Sequence, residues 1–290
     1  MSPAIEPVGD TCARFGEGPV WDPTANAVLW VDITGGAVLR TTPADTSTRR
    51  IELGGEVAAV FPTPTGTMLV ARDSTLVEVS GAAVVREVAG VPSRPRMRFN
   101  DGMADPRGRL LIGTLHADKT PGTAALYRLD GDGVLRPVVT GVTVSNGLGW
   151  SPDGRALYYV DTPRLRIDRF DYDLDDGVPH NRRTLADVSG LPGRPDGLTV
   201  DAEGCVWVAM IGGGELRRFT PNGRLDRVVP LPVSHPTSVA FGAQGLAELF
   251  ITSAVDPLSV EERRDQPLAG RLLRLDPGTS GLPTSLAVIP

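Results

Sequence analysis

Short apolar runs recur along the whole chain, each reached through the same punctuation. A small or apolar pair leads into a turn built from Pro, Asp or Gly, and a second β-rich run returns from it. Gly18-Pro19-Val20-Trp21-Asp22-Pro23 passes through Asn26 into Val28-Leu29-Trp30-Val31-Asp32, and Ala59-Val60-Phe61-Pro62 passes through Gly66 into Met68-Leu69-Val70-Ala71. Gly102-Met103-Ala104-Asp105-Pro106 leads to Leu110-Leu111-Ile112-Gly113. Gly147-Leu148-Gly149-Trp150 leads through Ser151-Pro152-Asp153-Gly154 to Leu157-Tyr158-Tyr159-Val160-Asp161. Gly197-Leu198-Thr199-Val200-Asp201 and Ser238-Val239-Ala240-Phe241-Gly242 begin the last two copies. No segment sustains the period of about 3.6 residues that marks an amphipathic helix, so the pattern predicts strands almost throughout.

The six copies stand about 40 to 50 residues apart, the period of a four-stranded propeller blade. Alternating third strands follow in Ala125-Leu126-Tyr127-Arg128-Leu129 and Glu215-Leu216-Arg217-Arg218-Phe219, ended by turns such as Asp130-Gly131-Asp132-Gly133. A β-sandwich or stacked barrels would use similar strands. The regular six-fold repeat, and the loss of free edges when a ring closes, favour an all-β six-bladed β-propeller spanning 1–290 as one domain. Closure is expected where Ile5-Glu6-Pro7-Val8 lies beside Arg271-Leu272-Leu273-Arg274-Leu275.

Composition removes several function classes. The 34 Gly and 26 Pro, spread evenly, punctuate short elements and exclude helical bundles and helix-pair solenoids. A net charge of −6 argues against nucleic-acid partners, which require a basic face to displace counterions. Lys119 is the sole lysine. Cys12 and Cys205 form no CxxC pair and read as two buried thiols. The first residues carry neither a basic nor an apolar leader segment, and no apolar run reaches about 18 residues. The expectation is a soluble, cytoplasmic protein without a membrane partner, a monomer or weak homo-oligomer.

The repeat also aligns one residue just before each first strand, near the channel mouth of a propeller: Glu17, Ala58, Asp101, Asn146, Asp196 and Thr237. Asn100 stands beside Asp101. Oxygen donors from different blades thus point at one small volume, where carboxylates repel unless a proton or cation compensates them. Hard oxygen donors suit calcium, magnesium or manganese. Asx-Gly is also an ordinary turn, and Asp105, Asp153 and Asp201 read as turn residues. Glu17 has no such turn role, yet it occupies the matching position between two glycines. Gly18, Gly102, Gly147 and Gly197 follow these positions and would let the backbone turn so that each donor faces the axis.

The chain resembles the SMP-30/gluconolactonase family, six-bladed propellers that include regucalcin and bacterial sugar lactonases. The matching stretches are Gly16-Glu17-Gly18-Pro19-Val20-Trp21, Arg98-Phe99-Asn100-Asp101-Gly102, Ser145-Asn146-Gly147-Leu148 with Ser151-Pro152-Asp153-Gly154, and Pro195-Asp196-Gly197-Leu198. Weaker matches are Gly113-Thr114-Leu115, Ala125-Leu126-Tyr127-Arg128 and Phe250-Ile251-Thr252-Ser253-Ala254. The resemblance implies one divalent cation on Glu17, Asn146 and Asp196, calcium first, with zinc, magnesium or manganese as alternatives. It implies substrate contacts from Arg98, Asn100 and Asp101, and Asp196 as the base that activates water. The implied substrate is a small-molecule sugar lactone such as gluconolactone or a pentonolactone. Where the animal proteins carry a longer loop with a substrate-contacting glutamate, this chain has His116-Ala117-Asp118-Lys119-Thr120-Pro121-Gly122.

The residues agree with that chemistry. Lactone opening needs an electrophile at the carbonyl oxygen and a base for water. No G-x-S-x-G elbow and no HExxH motif is present, and His116, His180 and His235 are scattered. His180 reads as exposed, and His235 as a candidate for the pocket mouth. Trp21, Trp30, Trp150 and Trp207 read as blade packing, and Arg94 and Arg96 as exposed. Two other functions fit the same fold: hydrolysis of a non-sugar lactone, ester or phosphotriester, and calcium or ligand binding without turnover.

Overall fold

The computed structural model describes residues 4–91 and 96–290. Six four-stranded antiparallel sheets stand in a ring, the six-bladed β-propeller read from the repeat. Their innermost strands are Gly16–Asp22, Val57–Pro62, Met97–Ala104, Ser145–Trp150, Arg194–Val200 and Pro236–Gly242. Each is followed outward by the return strand that the sequence pattern marked. Ala27–Asp32 and Ala156–Asp161 are buried at every position, because each second strand is covered by a neighbouring sheet on both faces. The outermost strands face solvent, and Ser47–Glu52 buries only Ile51 fully.

Turns and core follow from the same punctuation. In Ser151-Pro152-Asp153-Gly154 the Gly154 N–H donates to the Ser151 carbonyl at 2.8 Å, and Gly154 takes φ of 70° at no steric cost. The hydrophobic core is distributed between blades. Leu126 and Val142 of the third blade meet Leu148, Trp150 and Tyr159 of the fourth in one cluster. All four tryptophans are buried in such contacts. Among the described residues the one α-helix, Val260–Asp265, is short, and no helix is long and apolar enough to cross a membrane.

The ring closes where expected. Strand Glu6–Cys12 becomes the outer edge of the sixth blade, pairing Glu6 with Arg274 and Pro7 with Leu273. Trp21 of the first blade stacks on Phe250 of the sixth at 6.4 Å and 4°, so apolar packing reinforces the closing ladder. The C-terminal segment then crosses the end of the channel away from the mouth. Ala202 donates to Ser280, Gly281 to Leu246, Ala287 to Pro62 and Val288 to Gly108. It floors an axial cavity of about 610 Å³ lined by the innermost strands.

Two expectations are corrected. Cys12 is exposed, because it lies on the outermost strand of its blade, whereas Cys205 is buried. The glycines after the mouth positions do not share one backbone role. Gly18 alone of the four has positive φ, at 50°. A Cβ on Gly147 would stand 2.4 Å from the Leu198 nitrogen, so that glycine permits close approach of the next blade.

Candidate metal centre at the channel mouth

In every blade the pairing of the innermost strand slips once, and the slip falls at the repeat-aligned position. It lies between Glu17 and Val20, Val57 and Ala59, Phe99 and Gly102, Ser145 and Leu148, Pro195 and Leu198, and Pro236 and Ser238. A bulge sets extra residues against the partner strand and re-aims their side chains out of the regular alternation. Four bulges carry oxygen donors: Glu17, Asn100 with Asp101, Asn146, and Asp196. Ala58 occupies the second position, and Thr237 at the sixth donates to the Gly16 carbonyl at 2.6 Å.

A shell of residues fixes these donors. Asp32 accepts from the Arg14 and Phe15 N–H groups, both at 3.0 Å, just ahead of Glu17. Asp161 does the same for Thr143 and Val144, ahead of Asn146. The Asn146 Nδ2 donates to Thr162 Oγ1 at 3.0 Å, and that hydroxyl donates to the Pro195 carbonyl at 2.9 Å, so the amide nitrogen is engaged and the amide oxygen is left without a hydrogen-bond partner. Asn100 Nδ2 donates to the Ser145 carbonyl at 2.8 Å. Arg98 donates to Asn100 Oδ1 at 3.0 Å and pairs with Glu56 at 3.3 Å. Asp32, Asp161 and Thr162 were not among the residues expected from the sequence. Their signal was positional: both aspartates end the second strand of their blade.

The electrostatics are those of a site needing a counter-charge. Burial, then the negative charges of Asp196 and Asp101, push the Glu17 carboxyl well above the ordinary range. Burial, then Asp101, does the same to Asp196. Burial raises Asp101 to about 6. Burial lowers the Arg98 guanidinium, opposed by Glu56 and Glu17. Two buried oxygens, Asn146 Oδ1 and Asp196 Oδ1, have no hydrogen-bond partner. An unsatisfied buried acceptor is costly. With Glu17, whose Oε2 accepts from the Gly18 N–H at 2.8 Å, these two unpartnered oxygens make a carboxylate-rich group from three blades that fits one hard divalent cation.

A second acidic group, Asp201, Glu203 and Cys205, has ligand atoms within 4.8 Å of one another at the opposite end of the fifth blade. Its counter-charge is already present, since Arg218 pairs with Asp201 at 2.7 Å and also with Glu203 and Asp226. His235 is half-buried, its imidazole held below the ordinary value by burial, and its Nδ1 contacts Ser234 Oγ at 2.8 Å. His180 and Arg96 are exposed. Arg94 lies outside the described residues.

Fold and mouth together define a six-bladed propeller with a buried carboxylate cluster on its axis. The chain belongs to the SMP-30/gluconolactonase/LRE-like family, whose profile matches residues 15–255. It is 34% identical to the regucalcin of Xenopus laevis, over 98% of each chain. It is 36% identical to a 6-deoxy-6-sulfogluconolactonase of Pseudomonas putida, over 88% of this chain and 89% of the relative. A solved calcium-binding protein, regucalcin, from Agrobacterium tumefaciens superposes with a TM-score of 0.91 at 25% identity. That match covers 100% of this chain and 97% of the other.

Proposed function

We propose that this protein hydrolyses a sugar lactone, an aldonolactone such as gluconolactone or a pentonolactone, at the axial mouth, in the cytoplasm. The reading is carried by the unpartnered Asp196 Oδ1 and Asn146 Oδ1, buried beside two further carboxylates, together with relatives named for lactone hydrolysis. Glu17, Asn146 and Asp196 would hold one divalent cation, calcium first. Bound there, the cation supplies Lewis-acid polarisation of the lactone carbonyl. Asp196 takes a proton from the attacking water as its oxygen adds to the carbonyl carbon. The ring carbon–oxygen bond then breaks, and the same proton passes to the departing ring oxygen. Arg98 and Asn100, locked to each other at 3.0 Å, orient the ring and its hydroxyls, with Asp101 beside them.

The test is a panel of aldonolactones assayed after chelation and readdition of calcium, zinc, magnesium or manganese. Opening of at least one lactone above background, dependent on added metal, is expected. Background rates throughout would overturn the proposal. A second reading, cation binding without turnover, draws on the structural relative described as calcium-binding. It is favoured if calcium binds and no ester or lactone is opened.

A further inference from the structure

The loop 117–123 joins strands Leu110–His116 and Ala124–Leu129 at the mouth end of the third blade. It is tied toward the fourth blade, beside the donor Asn146. Leu115 forms a bridge with Val144, and the Gly122 N–H donates to Thr143 Oγ1 at 3.3 Å. Its other charges are consumed within the loop's own footing. Asp118 pairs with Arg96 at 2.6 Å, and the Ala117 N–H donates to the Arg96 carbonyl at 2.8 Å. The His116 carbonyl accepts from the Lys119 N–H at 2.7 Å, and Lys119 sits at positive φ, 51°, on the turn.

The ammonium of Lys119 differs from the cations around it. Apart from Lys119 the Lys/Arg residues of the chain are all arginines. Arg96 and Arg98 of the same blade are each paired with a carboxylate, while Arg194, two residues before Asp196 on the fifth blade, is exposed. Among the described residues Lys119 has no carboxylate within 4.0 Å, and its charge nevertheless acts on the buried Asp196. A strongly hydrated point charge on a flexible stem is thus carried by a loop tied to Thr143 and Val144, close to Asn146 in sequence. Its best partner is an anion, since a charge-assisted hydrogen bond is about twice as strong as a neutral one.

We infer that Lys119 is a specificity-determining residue that receives an anionic group on the lactone, so the preferred substrates are aldonolactones with an acid at the end remote from the carbonyl. The inference rests on the lactonase reading above. The shared chemistry is a terminal anion, whether carboxylate, phosphate ester or sulfonate.

The experiment compares kcat/KM for gluconolactone with three acidic counterparts: glucaric acid monolactone, phosphogluconolactone and sulfogluconolactone. The wild-type protein is expected to prefer at least one acidic lactone, and the arm with the largest preference identifies the anion. Lys119→Met should cut that preference about tenfold, through KM rather than kcat. Lys119→Glu should cut it further. Equal effects on neutral and acidic lactones, or a wild-type preference for gluconolactone over all three, would overturn the inference. Calorimetry separates this from failure of the lactonase reading. Glucarate should bind calcium-supplied protein more tightly than gluconate, with the difference lost in Lys119→Met, whether or not any lactone is opened. Indistinguishable binding of the two acids would contradict it.

Discussion

Asp196 at the mouth, with the half-buried Asp101 beside it, and Asp105 and Asp201 at the floor are carboxylates at opposite ends of the same innermost strands. Only the floor pair is satisfied. Asp105 accepts from the Arg107 and Arg109 N–H groups at 2.8 and 2.9 Å, from Arg109 Nε at 2.7 Å and from the Tyr172 hydroxyl at 2.8 Å. Asp201 accepts from Glu203 and Cys205 N–H groups, from Trp207 Nε1 and from Arg218. Asp101 accepts from Gly102 alone, and Asp196 Oδ1 from nothing. Burial is therefore not what distinguishes a site from a structural anchor. Unfilled lone pairs crowded with like charge distinguish it, because that arrangement calls for a proton or a cation.

The sharpest break in the comparison comes from the mouth. Asp196→Asn should lower turnover about a hundredfold or more, the ordinary share of a general base. Its melting temperature without cation should hold or rise, because a repelling charge is gone. A melt far below wild type would make Asp196 a structural residue instead. At the floor the expectation inverts. Arg218→Met leaves Asp201 buried without its cation and should cost about 3 kcal/mol of stability, read by denaturant titration. The rise in melting temperature on adding calcium should survive in that variant. If it vanished, the acidic group at the floor would be the cation site.

Thr162→Val tests the intermediate case of a residue acting through another. Freed from Thr162, the Asn146 carboxamide can rotate its nitrogen toward the cation. Calcium affinity should weaken about tenfold, or about 1.4 kcal/mol, with the fold intact by circular dichroism. Unchanged affinity would show that Asn146 is oriented by something else.

The smallest effect is on pH dependence. Glu17, Asp101 and Asp196 bind protons more tightly folded than unfolded, since burial raises all three. Their contribution is fully present below the unfolded values near about 4 and is lost as pH rises through the folded values. The chelated protein should lose a few degrees, roughly, of melting temperature from pH 5 to 8, and saturating calcium should restore them. A chelated protein that gained stability over that range would contradict the account.

The ring was legible in the sequence because each blade opens with the same turn chemistry and returns through a strand apolar on both faces. Leu157-Tyr158-Tyr159-Val160 has no other comfortable place. The positions of Glu17, Asp101, Asn146 and Asp196 at the mouth ends of the innermost strands were legible for the same reason. What brings their side chains to the axis, a bulge in every innermost strand, was not, because a slip in register depends on the partner strand. Asp32, Asp161 and Thr162 escaped notice since their partners lie in other strands or the next blade. The glycines misled in part: Gly147 answers to the backbone of the neighbouring sheet, a contact local sequence does not encode. Lys119 stood out only as the sole lysine until the bridge between Leu115 and Val144 set its loop beside Asn146.

One measurement bears most directly on the claim that the mouth carboxylates form a cation site. Calcium is titrated calorimetrically into chelated protein in two buffers of different ionisation heat, below and above pH 6, the value to which Asp101 is raised. The account predicts one site per chain, with protons released on binding at the lower pH and fewer at the higher. It also predicts loss of that site in a Glu17→Gln, Asp196→Asn double variant. Binding that releases no protons, or that persists in the double variant, would contradict it.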